Sequence, residues 1–427
     1  MSEQPANTIR IPVEKLRIGL YVDVELSWNE HPFLFRRFRI KNDQQIEVIQ
    51  RLITETILVF PKKSIVGKEG LEGVEASSAE EAAGEAGEAG GEDALWLNKR
   101  QHLEDAKAYR NERRRLMKEY KQTAERVRRL TQDLNNAPAN AMWDAERIVD
   151  EMVSHFEQGE SVLMNLVNLP DGGFSTYAHS LNVTVLALSL ARSLGIQGEE
   201  LHHIATGALL HDCGKITLPG AILHKKGKLN QGEQRVYETH ASAGAKLAQQ
   251  VGTLDESTVS IIQDHHELMD GTGYPQGKTG DHLNRATRIV AIANVYDNFC
   301  NPRELSDAKT PKEAMALMYR DWRGKLDPEM LAHFIKSMGV YPPGTVVQLS
   351  DESIALVVTV NPDNLLNPKV LLYNPDIPRN EAMMIDLAIH DELTVQDALK
   401  PREYPERIYE YLGMKERIGY FYSKGNG

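Results

Sequence analysis

Residues 265–275 read HHELMDGTGYP, and this segment is the most informative in the sequence. His265 and His266 stand together at the end of a predicted helix, and a glycine-rich loop follows them. Two glycines give the loop backbone freedom, and Pro275 fixes its exit. Such a loop lets backbone N–H groups approach a ligand closely, although alone it is equally compatible with a tight turn. The choice between these interpretations depends on the other histidines of the chain.

A second cluster of polar residues ends another apolar helix. Residues 208–215 read ALLHDCGK, so the imidazole of His211 is adjacent to the carboxylate of Asp212. A buried carboxylate is costly unless it is paired or coordinated to a metal. Taken alone, Asp212 could equally orient His211 or cap a helix.

Two further histidines fall on other predicted helices, His179 one helix earlier and His240 one helix later. A binuclear site for iron or manganese needs nitrogen and oxygen ligands drawn from several helices, and this pattern supplies them. The sequence therefore predicts a metal centre. Its six candidate ligands are His179, His211, Asp212, His240, His265 and His266.

Composition limits the class of protein. The 427 residues suffice for two or three domains, and a net charge of -12 argues against a protein that wraps long nucleic acid. Cys213 and Cys300, the only two cysteines, cannot form a disulfide framework and suit a reducing compartment. Residues 1–10 lack a secretion signal, and no apolar run reaches the roughly 18 residues of a membrane span. We expect a cytoplasmic protein without a membrane span.

The pattern along the chain predicts a mainly α protein in five parts. Residues 1–66 indicate a small β-rich regulatory domain, and residues 67–93, rich in Gly, Ala and Glu, a disordered acidic linker. Residues 94–135 indicate a long amphipathic linker helix. Residues 141–340 indicate a helical bundle that carries the histidines. Residues 341–427 contain turn signals around apolar runs and indicate a β-containing extension.

The bundle is divided into helices by its apolar periodicity. The predicted helices are residues 141–158, 177–194, 199–210, 231–250, 255–265, 286–299 and 311–337. The predicted strands are residues 57–60, 345–349, 354–360 and 369–373, with one N-terminal helix at 45–52.

The linker helix has an apolar seam, which recurs in steps of four and three up to Leu134. One interpretation is a homodimer through this helix, but Arg113 falls on the seam and counts against it. The basic residues of the helix lie among glutamates, which favours a solvated face over a nucleic-acid site.

Together these residues resemble the HD-GYP family, a branch of the HD superfamily of metal-dependent phosphohydrolases. The resemblance covers about residues 141–340 and rests above all on residues 265–275. It implies a helical bundle, two or sometimes three transition metals, and hydrolysis of cyclic di-GMP to pGpG or onward to GMP. It also implies that the six candidate ligands bind the metals, and that Asp212 and the phosphate-facing Lys215 act in catalysis.

The resemblance also assigns substrate contacts to the glycine-rich loop and to Arg303, which would reach a guanine or phosphate. The loop residues assigned to the substrate are Asp270, Gly271, Gly273, Tyr274 and Pro275. The two metals would lower the pKa of a bridging water, so that a bridging hydroxide attacks the phosphate.

Two positions depart from the family pattern. Three-metal members carry a Glu four residues before the first ligand histidine, where this chain has Ser175, so we expect two divalent ions, iron or manganese. Residues 292–297 read IANVYD where the family usually has Ala-Asp-Val-Tyr-Asp. Asn294 thus replaces a ligand carboxylate, although its amide oxygen can still coordinate.

The N-terminal region, with residues 11–22 reading IPVEKLRIGLYV and His31-Pro32-Phe33 beyond them, resembles an uncharacterised domain often found ahead of HD-GYP domains. Two alternatives to the phosphodiesterase stay open. Another HD-superfamily enzyme, such as a nucleotidase or a hydrolase of guanosine polyphosphates, is disfavoured by the Gly273-Tyr274-Pro275 loop. A catalytically weakened sensor that binds cyclic di-GMP or signalling proteins is supported by Asn294.

Overall fold

The chain is described here from a computed structural model. The described residues are 8–65, 91–134, 136–157, 176–302, 307–361, 363–375, 377–390, 393–399 and 404–413. The predicted acidic linker up to residue 90, Ser175 and Arg303 lie outside them. Within the described ranges no helix combines the length and apolarity needed to cross a bilayer.

Contacts between residues divide the chain into two compact units. The first comprises Met1–Lys107 and Asn374–Met383, and the second comprises Ala108–Tyr373 and Met384–Gly427. The mainly α fold with small β-rich parts is confirmed. The predicted boundaries of the five parts stay predictions.

The first unit contains a four-stranded antiparallel sheet in the order β1-β4-β2-β3, accompanied by helix α1 (Asp43–Leu52). The strands are β1 (Ile9–Pro12), β2 (Tyr21–Asp23), β3 (Arg37–Arg39) and β4 (Thr56–Val59). Helix α1 starts at Asn42, whose side chain accepts a hydrogen bond from the backbone N–H of Gln45. Val22, Ile49 and Ile57 are among the residues that close the apolar core.

Helix α2 (Gly91–Asp133) begins in the first unit, where Lys99 anchors it. The Lys99 ammonium is buried, donates to the carbonyl oxygens of Trp28 and His31, and lies 3.9 Å from the centre of the Trp28 ring. Burial lowers the pKa of Lys99 to about 8. A buried cation held by two carbonyls fixes the start of α2 against the N-terminal sheet.

The second unit is built from helices that enclose one large apolar core. They are the rest of α2, α3 (Pro138–Glu157), α4 (Thr176–Ser193), α5 (Glu199–Leu210), α6 (Gly220–Leu223), α7 (Gln231–Val251), α8 (Glu256–Asp264), α9 (Arg285–Cys300), α10 (Pro311–Asp321), α11 (Pro328–Met338) and α12 (Glu406–Leu412). Helices α4 and α9 are the most enclosed, because they are apolar on nearly every side. Any polar side chain on them needs a partner inside the protein.

The seam of α2 packs inside the same chain over its C-terminal half. Val127, Leu130 and Leu134 are buried members of the core of the second unit, and Arg113 donates to the carbonyl oxygen of Gly413. This half of the seam is therefore occupied and unavailable to a second copy.

The sequence predicted one helix over residues 311–337, and this was wrong, because α10 and α11 are separate. Asp327 interrupts them, since its carboxylate accepts the backbone N–H groups of Glu329 and Met330 and starts a new helix. Pro328 occupies the first turn, where its missing N–H has no consequence.

The C-terminal sheet has five antiparallel strands in the order β8-β7-β6-β5-β9. They are β5 (Val346–Leu349), β6 (Ile354–Thr359), β7 (Lys369–Tyr373), β8 (Met384–Asp386) and β9 (Val395–Ala398). The three apolar central strands were predicted. The two outer strands were missed, because they are short and less apolar.

Gly214 brings the segment that follows α5 directly against α7. It lies in the 3-10 turn Cys213–Thr217, and a Cβ atom built on it would lie 2.0 Å from the carbonyl oxygen of His240 and 2.4 Å from the backbone nitrogen of Gly244. Both contacts are with backbone atoms of α7, which cannot rotate away. Only glycine fits here, and this approach places Asp212 beside His240.

We predict that Gly214→Ala lowers the free energy of unfolding by about 3 kcal/mol, because the added methyl group overlaps the backbone of α7. Gly324→Ala is the matched control, since nothing lies within 4 Å of its Cβ position. The control should change stability by less than about 1 kcal/mol. Denaturant unfolding of both variants measures the difference, and equal stabilities would contradict the tight contact.

Candidate metal centre

The six predicted ligands converge from four helices. His179 lies on α4, His211 and Asp212 follow α5, and His240 lies on α7. His265 caps the end of α8, and His266 follows it. Their ligand atoms form two groups, and within each group all atoms lie within 4.8 Å of one another. The first group is His179, His211 and Asp212, and the second is Asp212, His240, His265 and His266.

Asp212 belongs to both groups and presents one carboxylate oxygen to each. Oδ2 lies 3.4 Å from Nε2 of His211 and 3.7 Å from Nε2 of His179. Oδ1 lies 3.3 Å from Nε2 of His240 and 3.8 Å from Nε2 of His265. The carboxylate thus lies between two pairs of imidazole nitrogens.

The hydrogen bonds of three histidines fix where their ring protons are. Nδ1 of His211 lies 2.6 Å from the carbonyl oxygen of Ala208, and the rings of His240 and His265 make the same contact with a carbonyl three residues earlier. A carbonyl oxygen can only accept, so Nδ1 must carry the proton in each ring. With the imidazole proton on Nδ1, Nε2 of each ring carries the lone pair, and it faces Asp212.

These lone pairs face one another at short range. Nε2 of His211 lies 3.3 Å from Nε2 of His179, and Nε2 of His240 lies 3.4 Å from Nε2 of His265. Burial lowers the pKa of His211 and lowers that of His265 well below its usual value, so these rings stay neutral. Facing lone pairs repel one another unless a cation lies between them, and this donor set therefore fits metal ions.

The buried Asp212 carboxylate gives a second test of this fit. Its Oδ1 atom is buried and has no hydrogen-bond donor among the described residues. An unsatisfied buried carboxylate oxygen costs free energy unless a cation compensates it. The site residues could therefore hold a metal ion, as the HD-type sequence pattern predicted.

Lys215 supplies a positive charge at the edge of this cluster. Its ammonium group donates to Oδ2 of Asp212 and lies 5.4 Å from the centre of the Tyr237 ring. Burial alone would raise the pKa of Asp212, but the charge of Lys215 lowers it well below its usual value. Burial alone would lower the pKa of Lys215, but the negative charge of Asp212 raises it. Lys215 and Asp212 are therefore both ionised.

The glycine-rich loop lies against the second group of candidate ligands, and hydrogen bonds to Glu267 hold the loop in place. The buried carboxylate of Glu267 accepts the backbone N–H groups of Gln276 and Lys278 at 2.6 and 3.0 Å. A Cβ atom on Gly273 would lie 2.5 Å from the carbonyl oxygen of His266, so glycine is required there. Tyr274 then stacks on the His266 ring with their centres 4.4 Å apart.

The other loop residues assigned to the substrate lie beyond this stack. Asp270 is exposed and accepts from the backbone N–H and hydroxyl of Thr272, which lowers the pKa of Asp270. Gly271 has a φ of +75°, in the left-handed region. Pro275 follows Tyr274 through a cis peptide bond. Their role in binding substrate stays a prediction.

Comparison with known protein families finds matches to two segments of the chain. Residues 161–330 match the HD domain family, and residues 8–145 match a domain of unknown function, DUF3391. The segment that matches HD domains contains all six candidate ligands. The resemblance stated from residues 141–340 is confirmed, as is the uncharacterised N-terminal domain, whose match extends into α3.

Several proteins similar to this chain carry enzyme names. It is 29% identical to "Cyclic di-GMP phosphodiesterase PA4108" of Pseudomonas aeruginosa over 85% of this chain and 84% of the relative. It is 33% identical to "Cyclic di-GMP phosphodiesterase response regulator RpfG" of Xanthomonas campestris over 47% of this chain and 53% of the relative. It is 33% identical to "3'3'-cGAMP-specific phosphodiesterase 3" of Vibrio cholerae over 39% of this chain and 36% of the relative. The chain spans about half or less of the last two.

Asp297, on α9, contacts a predicted ligand, but the sequence reasoning left it without a role. It is buried, and its Oδ2 atom accepts the Nδ1 proton of His179 at 2.6 Å. This bond leaves Nε2 of His179 as a lone pair and raises its basicity toward a metal. One signal was available, since Asn294, Asp297 and Asn301 follow at steps of three and four on an apolar helix.

Asn294 lies on the same helix one turn earlier. It is buried, and its side-chain oxygen accepts a hydrogen bond of 2.8 Å from the amide of Asn298. A carbonyl oxygen has two lone pairs, so one remains for another partner. The predicted ligand role of Asn294 stays a prediction.

We predict that Asp297→Asn weakens metal binding about 10- to 100-fold, the effect typical of losing a ligand's hydrogen-bond partner. The variant keeps the shape of the side chain but loses the charge that supports His179. Asp321→Asn is the control, because that aspartate is exposed and paired with its neighbour Arg320. Metal content after dialysis and Mn²⁺ titration should separate the two variants. Equal retention in both, with each variant folded, would contradict the role of Asp297.

Proposed function

We propose that this protein is a metal-dependent phosphodiesterase that hydrolyses cyclic di-GMP to pGpG, and onward to GMP. One observation carries the proposal: the Asp212 carboxylate lies between two pairs of facing histidine nitrogens. The name of the Pseudomonas relative, which matches over most of both chains, supports the substrate.

We infer that two ions bind, because each oxygen of Asp212 faces its own pair of imidazoles. The donors are nitrogen and oxygen, a set that suits iron or manganese. Cys213, although adjacent to Asp212, does not join them: its sulfur donates to the carbonyl oxygen of Gly244 at 3.8 Å. Burial raises the pKa of this thiol to about 12, which keeps it protonated.

When bound, two such ions lower the pKa of a water molecule and polarise the phosphate. Asp212 and the histidines fix the positions of the ions. Lys215, kept charged by Asp212, neutralises the negative charge that develops on the phosphoryl oxygens as the bond to the 3′ oxygen breaks. The pinned loop, with Tyr274 stacked on His266, forms one wall of the site and limits the access of water.

Relatives with two different substrate names require a choice. The relative that matches over 84% of its length is named for cyclic di-GMP, whereas the relative named for 3'3'-cGAMP matches over 36%. Cyclic di-GMP is therefore the substrate favoured here, and 3'3'-cGAMP is the comparison substrate for any assay.

The test is anaerobic purification with Mn²⁺ or Fe²⁺, followed by product analysis with each dinucleotide. We predict that wild type converts cyclic di-GMP faster than 3'3'-cGAMP. His211→Ala combined with Asp212→Ala should lose metal and turnover together, because the shared carboxylate and one imidazole are removed. Lys215→Met should keep its metal, because bound cations still compensate Asp212, yet lose turnover by roughly 100-fold or more, since phosphate stabilisation is removed.

Two outcomes would overturn this assignment. A metal-replete, active double variant would remove Asp212 from the centre. A wild type that is inactive at saturating metal but binds cyclic di-GMP would support the sensor alternative instead.

A neutral Asn294 ligand would leave the ion pair more positive and less tightly held than a carboxylate would. We therefore predict that Asn294→Asp raises metal retention more than it raises the turnover of metal-saturated protein. Asn284→Asp is the control for added charge, because Asn284 is exposed at the start of the same helix and aspartate caps a helix as well as asparagine does. Metal stoichiometry and saturated turnover decide the matter, and equal retention in wild type and Asn294→Asp would remove Asn294 from the ligand set.

A further inference from the structure

A line of four polar side chains runs from helix α2 to the metal centre. The hydroxyl of Tyr120 on α2 donates to the side-chain oxygen of Asn182 at 2.8 Å. The amide nitrogen of Asn182 donates to Oδ1 of Asp297 at 3.0 Å. Oδ2 of Asp297 accepts the Nδ1 proton of His179 at 2.6 Å. Each step is an ordinary hydrogen bond, and the last group is a predicted metal ligand.

The donors and acceptors in this line fit in one direction only. A tyrosine hydroxyl can donate to the Asn182 oxygen, which leaves the amide nitrogen of Asn182 for the carboxylate. The reverse orientation would turn the Asn182 oxygen toward the negative Asp297. Asn301 donates to Oδ1 of Asp297 at 2.8 Å as well, so this carboxylate accepts bonds on both oxygens. Tyr120 therefore selects the orientation of Asn182 that supports Asp297.

We propose that Tyr120 is a positioning residue for His179, acting through Asn182 and Asp297, and that α2 thereby sets the metal affinity of the centre. The proposal rests on the proposed function, because it takes His179 as a ligand. Tyr120, Asn182 and Asp297 are not among the predicted ligands, and the proposal gives them no direct contact with substrate or ions. Their effect is on the direction and basicity of Nε2 of His179.

The burial along the line makes the effect specific. Asn182, Asp297 and His179 are buried, with 4%, 0% and 5% of their surface exposed, so water does not replace a broken bond there. Without the Tyr120 hydroxyl, the Asn182 oxygen loses its 2.8 Å donor and the amide can rotate. A rotated amide repels Asp297, which then holds His179 less well.

Helix α2, which carries Tyr120, extends beyond the second unit. The helix is continuous from Gly91 to Asp133 and is anchored in the first unit by Lys99. Its second half belongs to the second unit, where Val127 and Leu130 are part of the core. A shift of α2 that separates Tyr120 from Asn182 lowers the affinity for metal without touching any ligand.

The experiment is a Mn²⁺ titration of the metal-stripped full-length chain, in which the electron paramagnetic resonance signal of free Mn²⁺ gives the affinity. Tyr120→Phe, which removes only the hydroxyl, should weaken binding about three- to tenfold, less than the loss of a ligand's direct partner. Tyr109→Phe is the matched control on the same helix. Its hydroxyl is buried and has no hydrogen-bond partner among the described residues, so its removal should leave the affinity unchanged.

A double-mutant cycle separates an effect carried by this line of side chains from a general loosening of the fold. In the Asp297→Asn background the line is already broken, so adding Tyr120→Phe should weaken Mn²⁺ binding no further. If Tyr120→Phe weakened Mn²⁺ binding by the same factor in both backgrounds, the proposal would be overturned, because Tyr120 would then act independently of Asp297. Wild-type affinity in Tyr120→Phe would overturn it as well.

The titration requires no turnover, so it tests the positioning role of Tyr120 separately from the proposed function. A wild type that binds Mn²⁺ but leaves cyclic di-GMP intact contradicts the proposed function and does not contradict the positioning role of Tyr120. A wild type that hydrolyses cyclic di-GMP, with a Tyr120→Phe variant of unchanged Mn²⁺ affinity, contradicts only the positioning role.

Discussion

The buried negative charge of Asp212 is the constraint on which the rest of the second unit depends. A carboxylate removed from water is costly unless cations or donors surround it. Here Lys215 donates to one oxygen, but the histidine nitrogens that face the carboxylate carry lone pairs, so full compensation needs a bound cation as well. The helices that carry these groups must therefore meet at one point, and Gly214 permits the closest of these approaches. The apolar core holds the helices, but the charge determines where they converge.

Much of this arrangement was predictable, because the signals lie close together in the sequence. The helix over residues 199–210 was predicted with its observed bounds, since its apolar pattern stops at His211-Asp212. The six candidate ligands do come together in space, as their residue types indicated. Helix α2 was also recognised, but nothing in its pattern says that residues 91–107 and the remainder belong to different units.

What the sequence could not predict are the contacts between residues far apart in the chain. His179 and Asp297 are 118 positions apart, and no local periodicity links them. The role of Glu267 was missed for a related reason, because its bonds to Gln276 and Lys278 depend on the path of the loop. Gly273 was read as a source of backbone freedom, whereas its position allows no side chain at all. A glycine that is needed for lack of space cannot be told in the sequence from one that is needed for backbone freedom.

Two ions bound as proposed would share the Asp212 carboxylate, so the loading of one group would depend on the loading of the other. Occupancy of one group changes the charge that the same carboxylate offers to the other. The two loading equilibria are thermodynamically linked, and each ion must change the affinity for its neighbour by the same factor. Singly loaded and doubly loaded molecules are thus not independent populations. In the proposed two-ion site, the supply of one ion therefore also governs the occupancy of the other group.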